Sequence, residues 1–241
     1  MIVATKAIVL SAIKYNDTSL IVKCLTFSDG VKSYLLKGVL TSKRGKLKTA
    51  YFQPLMQLEI VAVHKNKGTL ESINDVKLTY HYKKLYNDMA KNAMCIFLSE
   101  VLSHSLQEEE SNHSLFNYVE YALKWLDENE KIANFHIAFL LGLTKHLGFN
   151  PDDSHNDYPF FDLQEGMFSK EQPITPYLYG QDLLNFNKFL DIIFDSIPTI
   201  KMANTERQSL LNSVISYFEL HLHGFKKPKS LQVLSQIFTK K

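Results

Sequence analysis

One change of hydrophobic period, near Tyr80, does most to limit what this chain can fold into. Before it, apolar residues come in short β-branched or alternating runs: "KAIVLSAIK", "SLIVKCLTF" and "LMQLEIVAVH". In the last of these, Leu58, Ile60 and Ala62 share one face while Glu59, Val61 and Val63 share the other, the two-residue period of a strand. "KYND" reads as a turn between the first two runs, and Asp29-Gly30 in "FSDGVKSYLL" as a hairpin. "KNKG" then turns the chain into "TLESINDVKL". Five short strands in this arrangement predict a small antiparallel barrel, because closure removes exposed sheet edges.

Beyond Tyr80 the spacing becomes helical. Tyr82, Leu85, Tyr86, Met89, Ala93, Ile96, Phe97 and Val101 predict a helix over 81–106, and a second is expected over 115–126. A third runs from Ile132 to Leu147, stopped by Gly148 with Pro151 beyond it. Two more are expected around 181–195 and 205–222, the latter opened by a Thr205-x-x-Gln208 capping box, and a short one from Ser230. Residues 149–179 break the pattern. Residues 148–180 hold four of the seven prolines and show no helical period, so this is an irregular inserted segment within an otherwise all-α region. The expected domains are therefore 1–80 and 81–241.

Charge divides along the same line. The chain of 241 residues has a net charge of +2, but residues 1–80 carry 12 Lys+Arg against 5 Asp+Glu, and the remainder 15 against 20. Lys32, Lys37, Lys43, Arg44, Lys46 and Lys48 fall in a stretch with no carboxylate between Asp29 and Glu59. Lysine and arginine alternating with Ser, Thr and Gly suit a loop that follows a phosphate backbone. Tyr34, Tyr51 and Phe52, beside it, are candidates to stack on bases. A polyanion is the expected partner of this part of the chain.

Other chemistries find little support. Cys24 and Cys95 lie far apart in hydrophobic runs, as buried free thiols do in a reducing compartment. Asp152, Asp153, His155 and Asp157 cluster without the paired Cys or His of a zinc site, so no metal and no cofactor are expected. No nucleophile elbow, phosphate-binding Gly-rich loop or dinucleotide fingerprint occurs, so no catalytic residue is assigned and an enzyme is disfavoured. Acid pairs such as Asp127-Glu128 read as solvated charge. No apolar run reaches membrane-spanning length, and a cytoplasmic protein is expected.

Several of these segments together resemble the RecO family of recombination mediators. The residues that carry the resemblance are Tyr15-Asn16-Asp17-Thr18, Thr26 with Gly30, Lys37-Gly38, Ser42-Lys43-Arg44 and Gln53-Pro54. "FHIAFLLGLTKHLGFNPD" and "YFELHLHGFKKPKSLQVLSQIF" extend the likeness through the second half. The resemblance implies an α+β, multidomain chain: an OB-fold barrel followed by a helical domain. It further implies binding of single- and double-stranded DNA, annealing of complementary strands, and recombinase (RecA) loading with RecR onto strands coated by single-stranded DNA-binding protein (SSB), whose acidic tail is a partner. Association with the nucleoid would follow. Two departures stand out. Many relatives carry four cysteines for zinc after "LGF", whereas residues 149–179 have none, which suggests a metal-free version held by packing of "YPFFDL". Some relatives have an Arg before the Phe of the central helix that grips the acidic tail; this chain has Asn134 before Phe135. An RNA-binding barrel and a protein-interaction scaffold are the competing readings of the residues.

Overall fold

The computed structural model describes residues 1–41, 47–65, 67, 69–106 and 111–239. These form two compact units, Met1–Asp127 and Glu128–Lys241.

The first unit is built on five antiparallel strands: β1 (Ile2–Lys14), β2 (Leu20–Thr26), β3 (Gly30–Leu36), β4 (Gln57–Val63) and β5 (Ser72–Leu78), in the order β3-β2-β1-β4-β5. Strand β1 pairs with β4 through Ile2–Ile8 and with β2 through Ala7–Lys14, its register breaking at Leu10. A bulge of this kind bends a strand so that it can serve two neighbours. The expected closure is corrected. Among the described residues the edge strand β3 joins the β5 side through one parallel bridge to Glu71, just before β5: Leu35 N–H donates to the Glu71 carbonyl (2.9 Å) and Glu71 N–H to that of Ser33 (2.8 Å). The sheet is OB-like but not closed by a ladder.

The turn motifs noted in the sequence are local hydrogen-bond devices. The Asn16 carboxamide oxygen accepts from Thr18 N–H (3.0 Å), and the Thr26 hydroxyl donates to the Gly30 carbonyl (2.7 Å) across the β2–β3 hairpin. One face of the sheet forms a core of Val9, Val22, Cys24, Tyr34, Leu36, Leu58, Ile60 and Ala62, joined by Phe52. Both cysteines are free, and burial pushes their thiol pKa values up to about 12.

Helices α1 (Met89–Ser105) and α2 (His113–Glu128) belong to this same unit except for the last residue of α2, so compactness divides the chain after Asp127 rather than after Tyr80. The helix expected over 81–106 begins only at Met89, where Asp88 caps it through Ala90 and Lys91 N–H. Residues 80–87 instead form turns, despite helical spacing, because they are held from outside. Asp127 is 1% exposed, and its carboxylate accepts from Lys83, Lys84 and Leu85 N–H at 2.9, 2.8 and 2.7 Å. The expectation of solvated charge at Asp127 is therefore corrected: three converging amides satisfy the buried carboxylate. Tyr82 and Tyr86 donate to the Leu55 and Pro54 carbonyls, so the Gln53-Pro54 corner receives this lead-in.

The second unit centres on α3 (Phe135–Leu147), which ends as expected at Gly148, at φ +81° in the left-handed region. The irregular segment contains a three-stranded sheet, β6 (Phe160–Asp162), β7 (Met167–Ser169) and β8 (Tyr177–Tyr179), in the order β7-β6-β8. Its inner face, Phe161, Phe168 and Leu178, is buried, and Phe161 lies against Phe186 at 4.7 Å between ring centroids. Gly166 turns β6 into β7 at φ +70°, and a Cβ there would stand 2.7 Å from the Tyr217 hydroxyl. Helices α4 (Gly180–Asn187), α5 (Asn204–His221) and α6 (Leu231–Thr239) complete the unit. Two expectations are corrected here. The helix around 181–195 ends at Asn187, followed by turns and a 3₁₀ segment, Phe194–Thr199. At the start of α5 the Glu206 carboxylate accepts from Ala203 N–H (2.8 Å), while Gln208 reaches the Ser235 carbonyl, so the Thr205–Gln208 box does not form.

Candidate nucleic-acid interface

The sequence candidates lie on β3 and on the connection from β3 to β4. Lys37 is exposed immediately after β3, followed by Gly38 at φ +71°. Leu40 N–H donates to the Thr18 carbonyl (3.0 Å), which ties this connection to the β1–β2 turn. Lys43, Arg44 and Lys46 lie outside the described residues. The chain returns at Leu47, with exposed Lys48 preceding a 3₁₀ turn, Thr49–Phe52, that drives Phe52 into the core, so the expectation that Phe52 stacks on bases is corrected. Tyr51, half-buried, packs against the same core.

On β3 the candidates separate. Lys32 is partly exposed, opposite Cys24 in register. Tyr34 is fully buried; its hydroxyl is 2.8 Å from His64 Nε2. The expectation that Tyr34 stacks on bases is corrected, since neither ring face reaches solvent. It anchors the core, and burial pushes its phenol pKa well up.

Sequence reasoning passed over two further cations. Lys65 and Lys67, taken only as part of the turn "KNKG", are exposed on the β4–β5 connection. That connection folds back on Glu71, whose buried carboxylate accepts from Lys65 N–H (2.9 Å), and Glu71 is the residue bridged to β3. The turn pattern was the visible signal; its proximity to β3 depends on the bridge.

The state of the charges distinguishes this region. Among the described residues, the ammonium groups of Lys32, Lys37, Lys48, Lys65 and Lys67 have no carboxylate within 4.0 Å. Most other lysines of the unit are engaged, Lys6 and Lys124 with Glu120, Lys14 with Asp17, and Lys77 with Glu59, whereas Lys83 is exposed and, among the described residues, has no carboxylate within 4.0 Å. Lys23 donates to the Ser103 and Leu106 carbonyls at the end of α1 (2.8 and 2.7 Å). Solvated cations without local counter-charges can neutralise phosphates and release their counterions.

The second unit holds another cation in an unusual setting. Asn134 is buried, and its carboxamide oxygen accepts from Arg207 Nε (2.8 Å). Among the described residues its other acceptors are the Asn204 carboxamide and the Met202 carbonyl, both neutral. A small cavity beside the guanidinium is lined by His136, Leu211, Leu234 and Phe238. Burial, with Arg207 nearby, pulls the His136 pKa down to about 3. Arg207 gave no signal in sequence, because it lies 73 residues from Asn134.

Residues 149–179 do not fit zinc. The Asp152 carboxylate is taken by Ser154, Asp162 accepts from Gln164, Glu165 and Thr175, and the His155 ring stacks on Tyr158 at 4.7 Å. Among the described residues, no three His, Cys, Asp or Glu side chains are grouped to hold a metal ion. No described helix is long and apolar enough to cross a membrane.

Comparison with known proteins agrees along the whole chain. The family model described as Recombination protein O N terminal matches residues 1–82, and that described as Recombination protein O C terminal matches 86–232. The DNA repair protein RecO of Flavobacterium psychrophilum is 50% identical over 239 residues, spanning 99% of this chain and all of that one. That of Christiangramia forsetii is 46% identical over 238 residues, and that of Bacteroides fragilis 32% over 242, each spanning 99% of this chain and all of its own.

Proposed function

The chain belongs to the RecO family, and from that premise we propose that it is a DNA repair protein acting as a recombination mediator without catalysis of its own. It binds single- and double-stranded DNA, anneals complementary strands, and works with RecR to load the RecA recombinase onto SSB-coated strands. The observation that carries this reading is the set of five lysines on β3 and its two neighbouring connections, none with a carboxylate partner among the described residues. Lys43, Arg44 and Lys46 extend the same basic stretch in sequence. Phosphate contacts from such groups give affinity with little sequence preference. They also leave base edges free, which annealing requires, and lower the repulsion between two strands held together. Tyr51, at the rim of the core, is the remaining stacking candidate.

The acidic SSB tail is assigned to the second unit, with Arg207 in the part that an Arg before Phe135 would play. Its guanidinium is half-buried beside apolar side chains and meets neutral acceptors, a setting in which a carboxylate gains from a charge-assisted, bidentate pair. Arg207→Ala should abolish binding of an SSB tail peptide, and Arg207→Lys should restore only part of it, as read by fluorescence anisotropy.

Strand annealing tests the whole reading. Complementary labelled oligonucleotides are mixed with the protein, naked or pre-coated with the cognate SSB, across a salt titration, with RNA of the same sequence in parallel. Salt-sensitive annealing of DNA in both arms is expected. Preference for RNA, or no annealing in either arm, would overturn it.

A further inference from the structure

The outer face of the small sheet in the second unit is aromatic and acidic, and the reading above makes no use of it. Register places Phe160 beside Tyr179 and Asp162 beside Tyr177, on the side away from buried Phe161, Phe168 and Leu178. Phe160 and Tyr177 meet edge to face at 5.5 Å between centroids, and Tyr177 and Tyr179 lie 5.6 Å apart, so the three rings form a continuous row. Phe160 and Tyr177 are half-buried, and the row opens to solvent at Tyr179. Tyr179 is 62% exposed, and Met167, opposite Asp162 on β7, is also exposed.

The segment that carries the row is predominantly acidic. Residues 149–179 contain six carboxylates and a single lysine, Lys170. Glu171 neighbours Gln172, whose amide donates to the Tyr177 hydroxyl (2.6 Å), and Glu165 sits in the β6–β7 turn. Asp157, Glu165 and Glu171 are exposed and have no cation within 4.0 Å among the described residues. Elsewhere in the segment the one lysine makes a contact of this kind, its ammonium standing 5.0 Å over the Tyr158 ring. Tyr177 and Tyr179 offer similar rings. Aromatic faces attract cations, guanidinium groups above all, and nearby carboxylates strengthen that attraction while repelling phosphate.

We propose that this face, Phe160, Tyr177 and Tyr179 rimmed by Asp157, Glu165 and Glu171, docks an arginine-rich segment of a protein partner. Guanidinium planes lie on the tyrosine rings, and the carboxylates pair with the same groups at the rim. Charge complementarity and the exposure of the Tyr179 ring favour such a partner, independently of DNA binding.

The test uses the full chain and a labelled peptide of repeated Arg-Gly-Gly, with a Lys-Gly-Gly peptide beside it, followed by anisotropy. Tyr177→Ser/Tyr179→Ser should weaken arginine-peptide binding about tenfold, the loss of two cation–π contacts. Asp157→Asn/Glu165→Gln/Glu171→Gln should weaken it comparably, and the lysine peptide should bind more weakly throughout. Tyr179→Ser alone, at the most exposed ring, guards against a folding defect and should give part of the effect. Equal binding by wild type and the tyrosine variants would overturn the proposal, as would loss in the charge variant only, which marks unspecific attraction. A fall in oligonucleotide binding on losing the tyrosines would make the face a base-stacking platform and overturn it as well.

Discussion

The two sheets of this protein use similar residues in opposite ways. The five-stranded sheet turns its aromatics inward, with Tyr34 and Phe52 in the core, and leaves lysines unpaired around β3. The three-stranded sheet keeps Phe161 and Phe168 inside but sends Phe160, Tyr177 and Tyr179 outward amid carboxylates. Strand geometry is common to both, so it does not select the partner. The sign of the unpaired charge and the side on which the rings emerge separate a surface suited to phosphate from one suited to cations.

The largest effect should come from removing the support of the first unit. Asp127→Ala leaves three amide donors without their acceptor, and stability should fall by about 3 kcal/mol or more in urea unfolding. A loss below about 1 kcal/mol would mean that water replaces the carboxylate and that residues 80–87 stand on their own.

Next comes the charge on which the comparison rests. Replacing Lys32, Lys37, Lys48, Lys65 and Lys67 with Ala should flatten the log–log salt dependence of single-strand binding by about 3.5, if each meets one phosphate. Unfolding should be unchanged, because the replaced ammonium groups have no carboxylate partners. An unaltered slope would place DNA elsewhere and end the contrast between the two sheets.

The second unit should show its own acid sensitivity. His136 is held neutral, with its pKa lowered from 6.5 to about 3 in the folded state. Unfolding lets it take a proton below its ordinary pKa. Its contribution is therefore intact above about pH 6.5 and is lost as pH falls toward 3. His136→Phe should reduce the slope of stability against pH within that window, followed by near-UV circular dichroism. An identical slope would show that other groups set the acid limit.

The smallest effect should be at Tyr34. Tyr34→Phe removes the hydroxyl that meets His64 and should cost about 1 kcal/mol of stability. Oligonucleotide affinity should not change; a clear drop would return Tyr34 to the binding face.

Much of the fold was legible because it rests on local chemistry. Alternation at Leu58, Ile60 and Ala62, the Asp29-Gly30 hairpin, and Gly148 as a helix stop all act within a few residues. The site was legible as a charged stretch, not as a surface. Lys65 and Lys67 join β3 only through Glu71, and Tyr34 leaves the list because β-sheet pairing turns it inward. Residues 80–87 show the same limit: their spacing is helical, but a carboxylate some 40 positions later decides their path.

By itself, then, the sequence determined the β-then-α order, the positions of the turns and the excess of positive charge in the first third. Those follow from short-range periodicity and composition. The tertiary structure decided that the sheet stays open at β3, that Asp127 is buried, that Arg207 reaches Asn134, and that the tyrosines of β8 face outward. Each depends on groups brought together from distant positions, where burial and hydrogen-bond satisfaction, rather than local preference, determine which arrangement persists.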